Sequence, residues 1–268
     1  MEWIDGTSES FLNLVTEQTF SAYEKSEEQL HVISDQKYGN RGDPFSILEK
    51  NDIILFQGDS VTDCDRDRSI VQPNNEKALG EGYPAIIAEY LLKELKNMNL
   101  KFYNRAVGGN VVHQLNERWQ EDTFDIKPDV LSVLIGVNDY WYSINSAHSS
   151  ALETYENNYR SLIQRTLEEL PPVKLIIGEP FASVGGSATN IATGWDWDFD
   201  EFQKYREVTL RMARDFNAIF IPYQSIFDKA VQKQPLTYWS IDGVHPTEKG
   251  SRLMAIAWIT AIHSAGNE

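Results

Sequence analysis

The sequence has one cysteine and no long uninterrupted apolar run. Cys64 is the single cysteine among 268 residues, which excludes both an intrachain disulfide and a cysteine-rich metal site. A membrane-spanning helix needs ~20 consecutive apolar residues, and no stretch of the sequence approaches that length. Residues 1–5 also lack the basic and apolar regions of a signal peptide. We therefore expect a soluble, cytoplasmic protein.

Positive charge is scarce as well. The chain has 24 Lys and Arg against 40 Asp and Glu, which gives a formal net charge of −16. Such a negative field does not attract nucleic acid or an anionic membrane surface, so neither is expected as a partner. The rest of the composition, with 41% hydrophobic residues, is ordinary for a globular domain of sufficient length to bury a sizeable core.

From residue 53 onward, short apolar runs alternate with longer amphipathic stretches. The predicted strands are 53–56, 101–104, 130–135, 174–178 and 218–221. Between them, apolar residues recur at helical spacing, as Ile87, Leu91 and Leu95 do. This alternation is typical of βαβ units, and it predicts an α/β domain built on a five-stranded parallel sheet.

The first 50 residues have a less regular pattern. Apolar residues such as Phe11, Val15 and Phe20 are followed by a polar stretch at 24–42. We therefore divide the chain into an N-terminal extension, 1–50, and a main domain, 51–268. The extension is expected to act as a strap across the domain or as a contact in a homo-oligomer.

Gly58, Asp59 and Ser60 directly follow the first predicted strand and place a hydroxyl at its carboxyl end. Ligands of open α/β sheets bind just outside these strand ends. A serine hydroxyl becomes a good nucleophile only when a neighbouring base takes its proton. Among five histidines, His245 stands out because Asp242, three residues before it, can fold back and accept a hydrogen bond from the ring. A solvated surface loop is the competing interpretation of this motif.

Two further segments contain candidate donors for an oxyanion. Gly108, Gly109 and Asn110 follow the second predicted strand, and residues 136–139, with Asn138, follow the third. A glycine N–H at the start of a helix or an asparagine amide can stabilise developing negative charge. Glycine and asparagine are also ordinary turn residues, so neither segment is specific alone.

Taken in order, residues 58–60, Gly109, residues 136–139 and the Asp242–His245 motif resemble the four blocks of the SGNH (GDSL-type) hydrolase superfamily. The similarity extends over roughly residues 50 to 263. The stretches around these blocks resemble the bacterial acetylxylan esterases, a branch of the carbohydrate esterases. One departure is the sequence at 106–109, Ala-Val-Gly-Gly, where family members often have glycine-x-serine-glycine.

The resemblance implies a flavodoxin-like, three-layer α/β/α sandwich with sheet order 2-1-3-4-5, and neither a metal nor another cofactor. It implies that Ser60 is the nucleophile, His245 the base and Asp242 the acid that orients it. The oxyanion hole would comprise the backbone N–H groups of Ser60 and Gly109 and the side chain of Asn138. The implied activity is hydrolysis of short acyl esters, acetyl first, on a sugar or oligosaccharide.

Aromatic residues near predicted strand and loop ends are candidates for stacking on a sugar ring. We predict substrate contacts from Tyr140, Trp141, Trp195 and Trp239. Asp59 is included among the substrate contacts, and we also expect it to shape the turn that carries Ser60. For each ring, packing in the core is the competing interpretation.

Three other functions are compatible with parts of this pattern. A thioesterase or lysophospholipase of the same superfamily would share the three catalytic candidates but carry an apolar acyl channel. A non-catalytic flavodoxin-like protein could bind a phosphate near Ser60, although this leaves the Asp242–His245 motif unexplained. The carboxylates at 59, 63, 65 and 67 invite a hard cation, but Arg66 and Arg68 interrupt the run.

Overall fold

Five parallel strands form the centre of the fold in the computed structural model, which describes residues 6–25, 45, 47–145, 151–190 and 197–265. The strands are β1 (Ile53–Gly58), β2 (Lys101–Asn104), β3 (Val130–Leu134), β4 (Lys174–Gly178) and β5 (Ile219–Ile221). Their order is β2-β1-β3-β4-β5, which confirms the predicted α/β topology. This order places β1 between β2 and β3, so the segments that follow these three strands lie side by side.

The helices of the described residues are α1 (Glu9–Lys25), α2 (Ser60–Asp63), α3 (Glu76–Leu79), α4 (Tyr83–Glu94), α5 (Val112–Trp119), α6 (Val137–Asn145), α7 (Leu152–Glu169), α8 (Phe199–Asp215), α9 (Tyr223–Val231), α10 (Leu236–Trp239) and α11 (Glu248–Ala265). α11 packs against α4, and α1 covers α11 from outside. α5, α7 and α8 pack on one another as a second layer. Within the described ranges, every helix is too short or too polar to cross a bilayer.

Alternation along β1 connects the sheet to both helical layers. Phe56 packs its ring against Tyr83 of α4 and Trp258 of α11. Gln57, the next residue, points to the opposite face and donates to the Thr123 hydroxyl at 3.0 Å. A strand covered on both faces is buried throughout, which explains why its sequence is a nearly continuous apolar run.

The N-terminal segment packs against the last helix and the edge of the sheet. Phe11, Val15 and Phe20 are buried on the inner face of α1, which contacts α11 and β5. The carbonyl oxygen of Gly6 accepts a hydrogen bond from Phe220 N of β5, the edge strand of the sheet. The division of the chain at residue 50 and a role in oligomerisation stay predictions.

The segment after β3 is helical although it contains residues that are common in turns. α6 begins at Val137 and runs to Asn145. Val137 and Tyr140 are buried on its inner side. Asn138 therefore lies in the first turn of a helix, which fixes its backbone more firmly than a loop would.

Candidate active site

Ser60 begins the one-turn helix α2 immediately after β1. The Asp59 carboxylate caps this helix by accepting a hydrogen bond from Val61 N at 3.1 Å. Gly58, the last residue of the strand, allows the close approach of β3, since a Cβ there would stand 2.3 Å from the Leu134 carbonyl oxygen. The glycine and the capping acid together turn the chain sharply and leave Ser60 partly exposed at the sheet edge.

A continuous hydrogen-bonded chain joins Ser60, His245 and Asp242. Ser60 Oγ lies 2.9 Å from His245 Nε2, and His245 Nδ1 lies 2.7 Å from Asp242 Oδ2. The other oxygen, Oδ1, accepts from the backbone N–H groups of His245 at 2.8 Å and Val244 at 2.9 Å. A carboxylate that accepts all these bonds leaves the ring proton on Nδ1, so Nε2 can accept the Ser60 proton.

The surroundings shift the pKa values of the two partners in opposite directions, and both shifts favour the charged form. Burial opposes ionisation of Asp242 and is the largest single effect, but the hydrogen bonds from His245 and Val244 together outweigh it and lower the pKa to about 2. The hydrogen bond to Asp242 raises the pKa of His245 above its ordinary value, against the opposing effect of burial. Asp242 is thus ionised, and it stabilises a positive charge on the ring.

The loop that carries the acid and the histidine is fixed by bonds within its own turn. Ser240 Oγ accepts from Gly243 N at 2.9 Å and donates to the His245 carbonyl oxygen at 2.9 Å. Ile241 N donates to the same carbonyl at 2.8 Å. Ser240 also forms a β-bridge to Pro246, which closes the turn directly before α11.

A second loop holds this turn from outside. We name residues 181–190, which follow β4, the clamp loop. Ser183 N donates to the Gly243 carbonyl at 2.8 Å, and Ala188 N donates to the Asp242 carbonyl at 2.9 Å. Gly186 lies against the same peptide, where a Cβ would come within 1.9 Å of the Asp242 carbonyl oxygen. The clamp loop therefore fixes the backbone of Asp242 independently of its side chain.

The two predicted oxyanion segments are bonded to each other. Asn138 Nδ2 donates to the Asn110 carbonyl oxygen at 3.1 Å, and Asp139 Oδ1 accepts from Val112 N at 3.1 Å. Gly109 has φ of +80°, a conformation that glycine adopts without strain. These contacts bring the start of α6 next to the segment after β2, on the side of the sheet edge where Ser60 lies.

Two pockets border His245. The first, which we name the apolar cavity, has a volume of about 400 Å³ and is lined by Val137, Asn138, Trp141, Ser187, Ala188, Trp197, Asp242, Val244 and His245. The second, the charged pocket, has about 800 Å³ and is lined by Ser60, Val61, residues 63–69, Gly108, Ile241, His245 and Pro246. The catalytic candidates thus lie between an aromatic surface and a charged one.

The structure places the predicted substrate contacts in different environments. Trp141 lines the apolar cavity, and its contact with substrate stays a prediction. Tyr140 and Trp239 are corrected, because both are core residues with 1% and 2% of their surface exposed. The Tyr140 hydroxyl bonds the Asp198 backbone, and the Trp239 ring nitrogen donates to the Ala230 carbonyl.

Asp59 and Trp195 complete the set of predicted contacts. Asp59 is corrected as a substrate contact, since its carboxyl group is buried in the helix cap and burial raises its pKa to about 7. Trp195 lies outside the described residues. Trp197, which also lies in the long connection after β4 but is not among the predicted substrate contacts, lines the apolar cavity.

Fold and site define the class of protein: a parallel α/β enzyme with a serine, a histidine and an aspartate gathered at the carboxyl edge of its sheet. The sequence profile of the GDSL-like Lipase/Acylhydrolase family matches residues 56–253. The chain is 31% identical over 217 residues to an acetylxylan esterase from Geobacillus stearothermophilus, a match that covers 78% of this chain and 93% of that protein. The chain belongs to the GDSL-like lipase/acylhydrolase family and is a carboxylic ester hydrolase.

Solved structures agree with this family. A candidate GDSL-like lipase from Parabacteroides merdae is 43% identical, with a TM-score of 0.76 over 80% of this chain and 97% of that chain. The acetylxylan esterase from Geobacillus stearothermophilus is 29% identical in its crystal structure, with a TM-score of 0.70 over 80% of this chain and 95% of its own. Variants of that esterase with alanine in place of a serine, a histidine or an aspartate are described as catalytic mutants.

Proposed function

We propose that this protein is a serine esterase that removes acetyl groups from a saccharide through an acyl-enzyme. The observation that carries the proposal is the chain of short hydrogen bonds from Ser60 through His245 to Asp242. Such a chain supplies a base for the hydroxyl and a fixed negative charge behind the base. The acetylxylan esterase activity named for the relative supports acetyl as the acyl group and a saccharide as the alcohol.

In the proposed mechanism, Ser60 Oγ attacks the ester carbonyl while His245 Nε2 takes its proton. The carbonyl oxygen becomes an oxyanion, and the N–H groups of Ser60 and Gly109 and the amide of Asn138 stabilise it; one such donor is worth about 3 to 4 kcal/mol. Collapse of this intermediate breaks the bond to the alcohol oxygen, which receives the proton from His245.

The second half of the reaction regenerates the enzyme. A water molecule gives a proton to His245 Nε2 and attacks the acyl carbon, and the proton then returns to Ser60 as acetic acid leaves. Asp242 stays ionised throughout, since its pKa of about 2 lies far below neutral pH. Its charge offsets that of the imidazolium in both half-reactions.

A thioesterase or lysophospholipase activity is the second candidate function, and the apolar cavity favours it. Trp141 and Trp197 give that cavity an apolar wall next to His245, where an acyl chain longer than acetyl could lie. Hydrolysis rates of acetyl and octanoyl esters of p-nitrophenol distinguish the two functions. We expect kcat/KM for the acetyl ester to be the higher; a preference for octanoate would support the second function.

Ser60→Ala tests the nucleophile directly. The variant should fold as the wild type does, release no acetate from acetylated xylo-oligosaccharides and resist labelling by a fluorophosphonate. The matched control is Ser161→Ala, which removes an exposed hydroxyl from α7 and should leave labelling intact. A Ser60→Ala enzyme that still releases acetate would exclude the proposed mechanism. A cytoplasmic location and a homo-oligomeric state stay predictions.

A further inference from the structure

The charged pocket differs in chemistry from the apolar cavity on the other side of His245. Its lining includes three acidic residues, Asp63, Asp65 and Asp67, and two basic residues, Arg66 and Arg68. It is also the larger of the two, at about 800 Å³, and Ser60 itself lines it. A polar group attached to the reacting ester therefore has room on this side, directly at the nucleophile.

Asp63 and Arg68 form a fixed pair within this wall. Asp63 Oδ2 accepts from Arg68 Nε at 3.1 Å, from Arg68 Nη2, and from Gly108 N at 2.8 Å. The carboxylate side chain is only 6% exposed, whereas the arginine side chain is 52% exposed. The buried Asp63 carboxylate thus fixes the Arg68 guanidinium, and the donors of Arg68 that do not bind Asp63 are available to the pocket.

The arginine lies close to the nucleophile. The point where a Cβ on Gly108 would stand is 3.5 Å from Arg68 Nη2 and 3.7 Å from Ser60 Cβ. Among the described residues, Arg68 Nε and Nη2 bind Asp63, and Nη1 has no acceptor. A bound alcohol next to Ser60 would come within reach of these donors.

Arg66 makes the same segment rigid. It is 8% exposed, and its Nε donates to the Ala106 carbonyl oxygen at 2.7 Å, which ties the segment after α2 to the segment after β2. Asp67 N donates to the Lys77 carbonyl at 2.7 Å and anchors the other end. Arg68 is therefore presented from a backbone that is held in place before substrate binds.

We propose that the charged pocket binds the saccharide part of the ester and that Arg68 donates hydrogen bonds to its oxygens. This inference rests on the proposed function and assigns the acyl group to the apolar cavity. The geometry of the tetrahedral intermediate supports this assignment of the two groups to two pockets. The acyl and alcohol groups point away from the reacting carbon in different directions, and His245 must reach the alcohol oxygen. His245 borders both pockets, and of the two only the charged pocket is lined by arginine residues and by Ser60 itself.

The saccharide that this pocket accepts should be uncharged. Asp63 neutralises Arg68, Arg66 offsets one of the carboxylates of Asp65 and Asp67, and the other carboxylate leaves the wall with a net negative charge. A carboxylate on the sugar would meet this charge and the net charge of −16 of the whole chain. Neutral hydroxyl groups can instead accept from the guanidinium and donate to the carboxylates.

The experiment compares two acetates that differ in hydroxyl groups. Monoacetylated methyl xyloside carries free hydroxyls on its ring, whereas cyclohexyl acetate offers a ring of the same size without them. For Arg68→Met we expect the ratio of kcat/KM for the xyloside to that for cyclohexyl acetate to fall about tenfold, the loss of one or two hydrogen bonds. Arg214→Met, which removes an exposed arginine from the last turn of α8, should leave the ratio unchanged.

A second variant covers the case in which Arg68→Met unfolds because Asp63 loses its partner. Arg68→Lys keeps a positive charge beside Asp63 but lacks the planar set of donors, so the ratio should still fall. An unchanged ratio in either folded variant would overturn the inference. A wild-type enzyme that hydrolyses neither acetate would instead overturn the proposed function.

A third substrate tests the charge of the sugar. Monoacetylated methyl glucuronoside has the same kind of ring with an added carboxylate, and we expect the wild type to hydrolyse it more slowly than the xyloside. Faster hydrolysis of the glucuronoside would overturn the assignment of a neutral sugar to this pocket.

Discussion

Gly186 of the clamp loop lies in direct backbone contact with Asp242. A Cβ at position 186 would stand 1.9 Å from the Asp242 carbonyl oxygen and 2.4 Å from Gly243 N, so no side chain fits there while the two loops keep their positions. Ala188 N donates to the same carbonyl oxygen, which closes the contact. The position of Asp242 therefore depends on a glycine 56 residues earlier in the chain.

Gly186→Ala should displace Asp242 and lower kcat at least tenfold, because small misplacements of a catalytic group have large effects on rate. The matched control is Gly185→Ala. Gly185 has φ of +92° but no atom within 4 Å of its Cβ position, so this change strains the backbone without a clash. Steady-state hydrolysis of p-nitrophenyl acetate measures both variants. Equal rates for Gly186→Ala and the wild type would show that the loop contact does not position Asp242.

Asp242→Asn should leave the protein folded and reduce kcat by about 10⁴, as loss of the orienting carboxylate does in other serine hydrolases. The pH profile provides a second readout. His245 must be neutral to accept a proton, so kcat/KM should rise with pH through the pKa of His245, which Asp242 raises above its ordinary value. In Asp242→Asn that inflection should move to lower pH. An inflection that does not move would exclude the assigned pairing.

Asp139 should make stability depend on pH. Its side chain is buried and one oxygen has no partner among the described residues, and burial raises its pKa to about 7. An aspartate in the unfolded chain titrates near ~3.9, so between those values the folded state alone holds the proton. Stability from this group is therefore full at low pH and is lost as pH rises toward 7.

Asp139→Asn cannot ionise, so the variant should lose less stability than the wild type between pH 5 and pH 8. Urea unfolding at both pH values gives the difference in free energy. Asp67→Asn is the control, since hydrogen bonds from Ser69 lower the pKa of this exposed carboxylate and keep it ionised over the whole interval. The same pH dependence in Asp139→Asn and the wild type would contradict the assignment.

Phe11→Ala tests the packing of the N-terminal helix. Phe11 is 4% exposed on the inner face of α1, and its removal should lower the free energy of unfolding by about 3 to 5 kcal/mol. Leu14, on the same helix, is 39% exposed, and Leu14→Ala should have little effect. Equal effects in urea unfolding would mean that α1 does not pack as described. Neither variant should change kcat where it is folded, because α1 lies on α11, away from Ser60.

The sheet was predictable from sequence because its strands are buried on both faces. Residues 130–134 form a nearly continuous apolar run, and such a run fits only an internal strand in a pattern of alternating strands and helices. The placement of His245 near Ser60 was predictable only from the family resemblance of the two motifs, because the turn with His245 follows helix α10 and not a strand. Their 185-residue separation carries no local signal of contact.

Two features were not predictable from local patterns. Gly136, Asn138 and Asp139 are common turn residues, and burial of Val137 and Tyr140 overrides that preference and forms α6 instead. The sequence also does not show whether an aromatic ring points into the core or toward a binding site. Tyr140 and Trp239 lie near strand and loop ends as substrate-binding rings do, yet both point into the core.

The clamp loop has a consequence for redesign of this enzyme. Ser187 and Ala188 line the apolar cavity, while the backbone of the same loop fixes Asp242. Side-chain substitutions at these two positions can reshape the cavity, because the hydrogen bond from residue 188 comes from its peptide group. Insertions or deletions in the loop would move that peptide group and displace Asp242. Libraries aimed at new acyl groups should therefore vary residue identity here and keep loop length constant.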